Sequence, residues 1–209
     1  MRKMNRVMAG FIVVFLLGVL LSGCKKEEPW KNWTTEQMSV DENGQVVYCI
    51  VENFDKNYYK LDELTGMVVR EAAEFNGKNK TGDQTPVQVL EVAKLEDKED
   101  VVRVVWQFDK DQSFAGFLGE TLYFETLSEA VENNHVFKGS VLSSGGESIT
   151  LDDANETKLH AKHVLITDAK TIIHLPYDAL YYSHGVTVQK DGSIDTTKCE
   201  DVAVIILKK

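Results

Sequence analysis

Proline and cysteine are both scarce: the 209 residues hold three of each. So few prolines exclude a collagenous or proline-rich extended chain. Three cysteines are too few to staple a disulfide-dense miniprotein. Positive charge is short as well, with 23 Lys and Arg against 33 Asp and Glu and a formal charge of −10. Such a surface repels phosphate backbones, which disfavours nucleic acid as a partner. No period of about 20–50 residues is visible, so a repeat array is excluded. Catalytic signatures are missing too. There is no Walker loop, dinucleotide fingerprint or H-E-x-x-H, and Gly146-Glu147-Ser148-Ile149-Thr150 lacks the second glycine of a nucleophile elbow. What the chain does have is 43% hydrophobic residues and 9% aromatics, enough for a core. At roughly 150 residues per domain, its length gives one globular domain or two small ones.

The first residues carry an address. Arg2, Lys3 and Arg6 form a basic start, and from Val7 to Leu21 no side chain is polar. This is the pattern of a secretory signal, and it falls short of the roughly 20 apolar residues that a good membrane span needs. It ends in Leu21-Ser22-Gly23-Cys24, which resembles the bacterial lipoprotein box. That resemblance implies a signal peptide over 1–23, cleavage before Cys24 and a diacylglycerol on its thiol. Small Ser22 and Gly23 let the backbone enter a protease site, and Cys24 supplies the sulfur to alkylate. Loss of Arg2, Lys3 and Arg6 takes the formal charge from −10 to −13. An acidic surface does not seek anionic lipid, so attachment rests on hydrophobic insertion at about 0.8 kcal/mol per buried CH₂.

Residues 24–45 read as a polar tether, interrupted by Trp30 and Trp33, which either sit at the lipid interface or dock on the domain. Val46 to Glu52 reads as a strand. A helix is expected over 61–76, with Leu61, Leu64, Val68, Ala72 and Phe75 as an apolar stripe widened by Met67 and Val69. Asp62 and Glu63 suit its positive end, Gly77 suits its closure, and Gly66 weakens it. Residues 87–95 and 101–108 form a hairpin around the charged turn 96–100, with Val102, Val104, Trp106 and Phe108 on one core face. A helical turn is expected over 113–118. Thr126-Leu127-Ser128-Glu129 has capping-box spacing and opens a short helix to about Asn133. Ser143-Ser144-Gly145-Gly146 reads as an internal boundary between an α+β region, 46–142, and a β-rich region, 143–209, unless the two form one domain. Strands are expected over 163–167, 171–175, 180–188 and 202–207, with a turn at 190–193. The class is α+β: an antiparallel sheet with one main helix, then a strand-rich C-terminal part.

The stretch Glu52-Asn53-Phe54-Asp55-Lys56-Asn57-Tyr58-Tyr59-Lys60-Leu61-Asp62-Glu63-Leu64 resembles a group of uncharacterised lipoproteins of Gram-positive anaerobic bacteria. Those proteins join a lipobox to an aromatic-acidic helix entry and a strand-rich tail, here His163-Val164-Leu165-Ile166 through Tyr181-Tyr182-Ser183. The resemblance implies a location and carries over no catalytic residue.

Several side chains invite chemistry. His160 and His163 lie three apart with His174 and His184 nearby, but a strand over 163–167 sends an odd offset to opposite faces, so no metal site is expected. Cys49 and Cys199 either bridge or remain buried thiols; Cys49 alternates with Val47 and Val51 as a core residue would. Acidic pairs such as Glu52 with Asp55 and Asp152 with Asp153 arise by chance in so acidic a chain. Sequons at Asn32, Asn79 and Asn155 carry little weight beside a bacterial lipobox. Tyr58, Tyr59, Tyr181 and Tyr182 form two Tyr-Tyr pairs suited to an interaction surface or to sheet and helix packing. The expectation is a lipid-anchored extracytoplasmic binding or accessory protein, not an enzyme and with no cofactor. Membrane is its partner through Cys24, with a protein or small molecule as the second partner. A transport-associated small-ligand binder and an unrecognised hydrolase are the alternatives.

Overall fold

The computed structural model describes residues 28–209 apart from Thr81, Asp97, Phe137 and the side chain of Glu99. The signal segment, the lipobox and Cys24 lie outside the described residues. The chain divides into two units, Met1–Lys31 and Asn32–Lys209. Of the first, residues 28–31 are described. They enter a 3-10 turn, Pro29–Asn32, in which Lys31 pairs with Glu28 and overlies the Trp30 ring.

The second unit is α+β. Its first sheet is built from β1 (Gln37–Val40), β2 (Val46–Asn53), β3 (Val87–Leu95), β4 (Lys98–Phe108), β9 (Ile172–His174), β11 (Thr187–Val188) and β12 (Ile194–Asp195). Their order is β11-β12-β9-β1-β2-β4-β3, antiparallel except for β1 against β9. The second sheet joins β5 (Leu122–Thr126), β6 (Val141–Ser144), β7 (Glu147–Thr150), β8 (His163–Thr167), β10 (Ala179–Tyr182) and β13 (Ala203–Leu207) in the order β5-β8-β13-β10-β6-β7. Four helices are seen among the described residues: α1 (Leu61–Asn79), α2 (Asp111–Leu118), α3 (Leu127–Glu132) and α4 (Asp153–Leu159).

Period-two patterning sets the faces. Tyr48 stands opposite Trp106, Val46 opposite Phe108 and Ile50 opposite Val104, so one face of β2 and β4 is continuous and apolar. That face packs with Val68 and Ala72 of α1, Phe114 of α2, and Leu122, Leu165, Ile205 and Leu207 of the second sheet. Alternate residues of the second sheet, Val164, Ile166 and Ile206, point into a second core with Leu127, Ala130, Leu142 and Leu151. Each fully buried Leu, Ile or Phe contributes roughly 1.5–3 kcal/mol. On the reverse face of the first sheet, Cys49 and Val105 are buried, and Arg103 bonds Glu91 at 2.6 Å and the Trp33 carbonyl at 3.0 Å.

The main helix and the capping box stand where they are expected, and so does the hairpin, except that β4 already begins at Lys98, inside the expected turn. In the capping box, the Thr126 side chain accepts from the Glu129 N–H, and the Glu129 carboxylate accepts from the Thr126 N–H at 2.9 Å. Other expectations need correction. The tether does not reach residue 45, because β1 lies inside the first sheet between β9 and β2. Trp33 docks rather than facing lipid: it is buried and stacks on His174 with ring centroids 5.4 Å apart. Ser143–Gly146 lies inside the unit Asn32–Lys209, in keeping with the one-domain alternative. Gly145 and Gly146 both have positive φ, the requirement of a two-residue hairpin loop, and they join β6 to β7 within one sheet. Gly77 does not close α1, which runs on to Asn79. Asn79 Nδ2 then donates back to the Phe75 carbonyl, covering a last-turn acceptor. The strand expected over 180–188 is interrupted between β10 and β11, where Gly185 takes φ +86° against the Cys199 backbone. Among the described residues, no helix is long and apolar enough to cross a membrane.

Candidate functional site

Helix α1 lies over the apolar face of β2 and β4 without filling the space beneath it. Its C-terminal half is pinned: Asn76 Nδ2 donates to the Val87 carbonyl at 2.7 Å, and the Val87 N–H donates to Asn76 Oδ1 at 2.9 Å. Val68 and Ala72 are buried, but Leu64 and Phe75 are only half-buried and Met67 is exposed. Between helix and sheet remains a groove of about 560 Å³, within the range of small-molecule sites. Ile50, Val102, Val104 and Trp106 form its floor, Leu64, Met67, Val68 and Phe75 its roof, and Phe117 and Leu118 of α2 one wall. The Phe75 and Phe117 rings meet edge to face at 5.4 Å, and Phe117 lies 6.3 Å from Trp106. Gly116 makes this approach feasible, since a Cβ there would lie 3.3 Å from the Phe75 ring.

Two polar features break the apolar lining. Trp106 is 8% exposed, and its indole N–H is buried with no hydrogen-bond partner. An indole N–H is a donor only, and leaving one buried and unmade costs about 1–3 kcal/mol. The rim carries Glu52, Glu71 and Glu74 against a single Lys78. A second buried orphan, Glu120 Oε2, does not line the groove; burial, then Asp168 and Glu36, pushes that carboxyl upward.

A second concavity of about 460 Å³ is polar, lined by Asp111, Tyr123, Glu125, Glu129, His135 and His163 among others. His135 Nδ1 sits 2.6 Å from Glu125 Oε1, its ring stacks on Tyr123 at 3.6 Å, and Asn133 donates to the other Glu125 oxygen. Burial pushes the Asp111 carboxyl up, opposed by bonds from the Phe124 and Gln112 N–H groups. These groups satisfy one another. The groove under α1 is where a donor is left over.

The tyrosines do not make one surface. Tyr58 and Tyr59 are exposed on the loop before α1, 4.9 Å apart edge to face, with Tyr59 stacked on Phe54. Tyr181 and Tyr182 are half-buried on opposite faces of β10, Tyr182 against the first core and Tyr181 against the second. Cys49 and Cys199 are both buried free thiols, so the bridge is not formed. Cys49 lies on the reverse face of the first sheet, whereas Cys199 belongs to the core on its front. Burial pushes the Cys49 thiol up to about 12, so it is inert at neutral pH. The histidines are dispersed as well. His160 bonds the Thr157 carbonyl at 2.7 Å, His163 stacks on Phe124, and His174 Nε2 lies 2.8 Å from Gln37 Oε1. Among the described residues, no three His, Cys, Asp or Glu side chains come together as metal ligands. Asp55 pairs with Lys56, Asp153 with Lys138, and Asp152 caps α4 at the Asn155 N–H, which removes both acidic pairs as sites.

No family model, no curated protein and no solved structure matches the chain.

Proposed function

We propose that the protein is a lipid-anchored extracytoplasmic binding protein whose ligand occupies the groove under α1. The observation that carries this reading is the open apolar space beside a buried, unpartnered Trp106 N–H. A domain folding only for stability closes such a space, since interiors pack at crystal-like density. The lining holds no Ser, Thr, Cys or His, which favours binding over turnover. The basic start, apolar run and Leu21-Ser22-Gly23-Cys24 box support the anchor.

Two measurements test the two halves. The wild-type chain is expected to incorporate labelled palmitate and to partition into detergent, and Cys24→Ser to do neither. Labelling of Cys24→Ser would end the anchor reading. Titration with N-phenyl-1-naphthylamine, a neutral apolar fluorophore, is expected to saturate at one molecule per chain and to be lost in Leu64→Glu. Absence of saturable binding by the wild-type chain would end the groove reading.

A further inference from the structure

Resting on the groove as the binding site, we infer that its ligand is a small cationic amphiphile: an apolar body with a positively charged end. Two features of the groove each select one part. The floor and roof offer only apolar atoms to the body, from Ile50, Leu64, Val68, Phe75, Val102, Val104 and Phe117.

The rim decides the charge. Glu52 closes the groove from the end of β2, and Glu71 and Glu74 border it from α1, on one side of the helix's apolar stripe. None of the three carboxylates makes an ion pair or hydrogen bond among the described residues, although ion pairs are made elsewhere on the surface. Lys78 is the one cation in the lining, which leaves the rim two charges negative. An anionic fatty acid therefore meets repulsion at the mouth, and an ammonium or guanidinium meets attraction. The choice of a small molecule over a peptide follows from volume: about 560 Å³ matches a site that encloses most of a small ligand.

The test uses the full chain in phosphatidylcholine nanodiscs, with empty discs subtracted, and three probes sharing one chain and one carbonyl: octanoylcholine, octanamide and octanoate. Calorimetric titration is expected to rank them in that order. Each partly exposed carboxylate contributes a small attraction, so octanoylcholine should bind about tenfold tighter than octanamide. The double variant Glu71→Gln/Glu74→Gln should cut that preference to about twofold. Octanoate binding as tightly as octanoylcholine, or a cation preference that survives the double Gln variant, would overturn the inference while leaving the groove reading intact. Saturable binding of an apolar, lysine-ended pentapeptide without binding of octanoylcholine would overturn the choice of a small ligand. If none of the probes binds above empty discs, the groove reading itself falls.

Discussion

Trp106→Phe separates two kinds of buried indole by the sign and size of a stability change. The ring sits in the floor of the groove, 8% exposed, and its N–H has no partner. Phenylalanine keeps an aromatic plate against Phe117 and removes the pyrrole part with its donor. The lost burial amounts to about two methylenes, or roughly 1.6 kcal/mol. Removing a buried donor that bonds nothing returns about 1–3 kcal/mol. The two effects offset, so the variant should lie between about 0.6 kcal/mol less and about 1.4 kcal/mol more stable than wild type. Had the N–H been bonded inside the fold, the substitution would forfeit the burial and strand an acceptor, a combined loss of about 2.5–4.5 kcal/mol. Urea unfolding followed by far-UV circular dichroism measures the difference, and an unchanged m-value certifies that the same transition is compared. Leu165→Ala, at a fully buried core position, is the control and should cost about 2–5 kcal/mol. A Trp106→Phe loss above about 2.5 kcal/mol at unchanged m would refute the unpartnered donor.

Thr126→Ala removes one half of the capping box and should destabilise by about 1 kcal/mol in the same urea assay; no loss would mean that the box does not hold α3. Cys49 and Cys199 are free and buried, so the intact mass should not change on reduction. Both should alkylate at pH 8 only in denaturant, and modification in buffer alone would contradict their burial. Burial beside Trp33 lowers the His174 pKa, with Asp191 opposing. The unfolded chain therefore binds this proton first. The stability contribution is complete above the ordinary histidine value of about 6.5 and is lost as pH falls below it. The urea midpoint should drop more between pH 7.5 and 5.5 in wild type than in His174→Gln, and equal drops would exclude His174 as the cause.

Local signals in the chain carried well into the structure, and non-local ones did not. The alternation of Val102, Val104, Trp106 and Phe108 is a property of one strand, and so is the Thr126–Glu129 box of one turn. Four-residue β1 has no such mark. Its place in the sheet comes from pairing with Val46–Cys49 on one side and Ile172–His174 on the other, partners separated by about 130 residues of chain. The same holds for α4, whose only cue was Asp152 three residues before Asn155. The groove was half legible. Its floor reads correctly as a core face and its roof as an amphipathic stripe, but nothing local says that the two stay apart. One cue was present: at 3.6 residues per turn Glu71 and Glu74 border the apolar stripe on one side, so charge flanks the edge on which the groove opens. Glu125, Asp111 and His135 of the polar concavity come from three elements and have no motif.

Local chemistry agrees with the fold nearly everywhere else, which gives the exceptions their meaning. The capping box closes, paired glycines sit where a hairpin needs positive φ, and Arg103 is bonded to Glu91 and the Trp33 carbonyl. Phe108, Phe114, Leu165 and Ile205 are fully buried in a dense core. Against that background one patch departs from the rules in three ways at once: unfilled apolar space, an unmade indole hydrogen bond and uncompensated carboxylates at the rim. Each departure alone costs stability that a few substitutions would recover, such as a larger side chain at Val68 or lysine at position 71. Conflicts between local rule and fold collect where a protein does something other than fold. Two of these, the unfilled space and the rim charge, are economically explained by a single occupant that fills the one and meets the other.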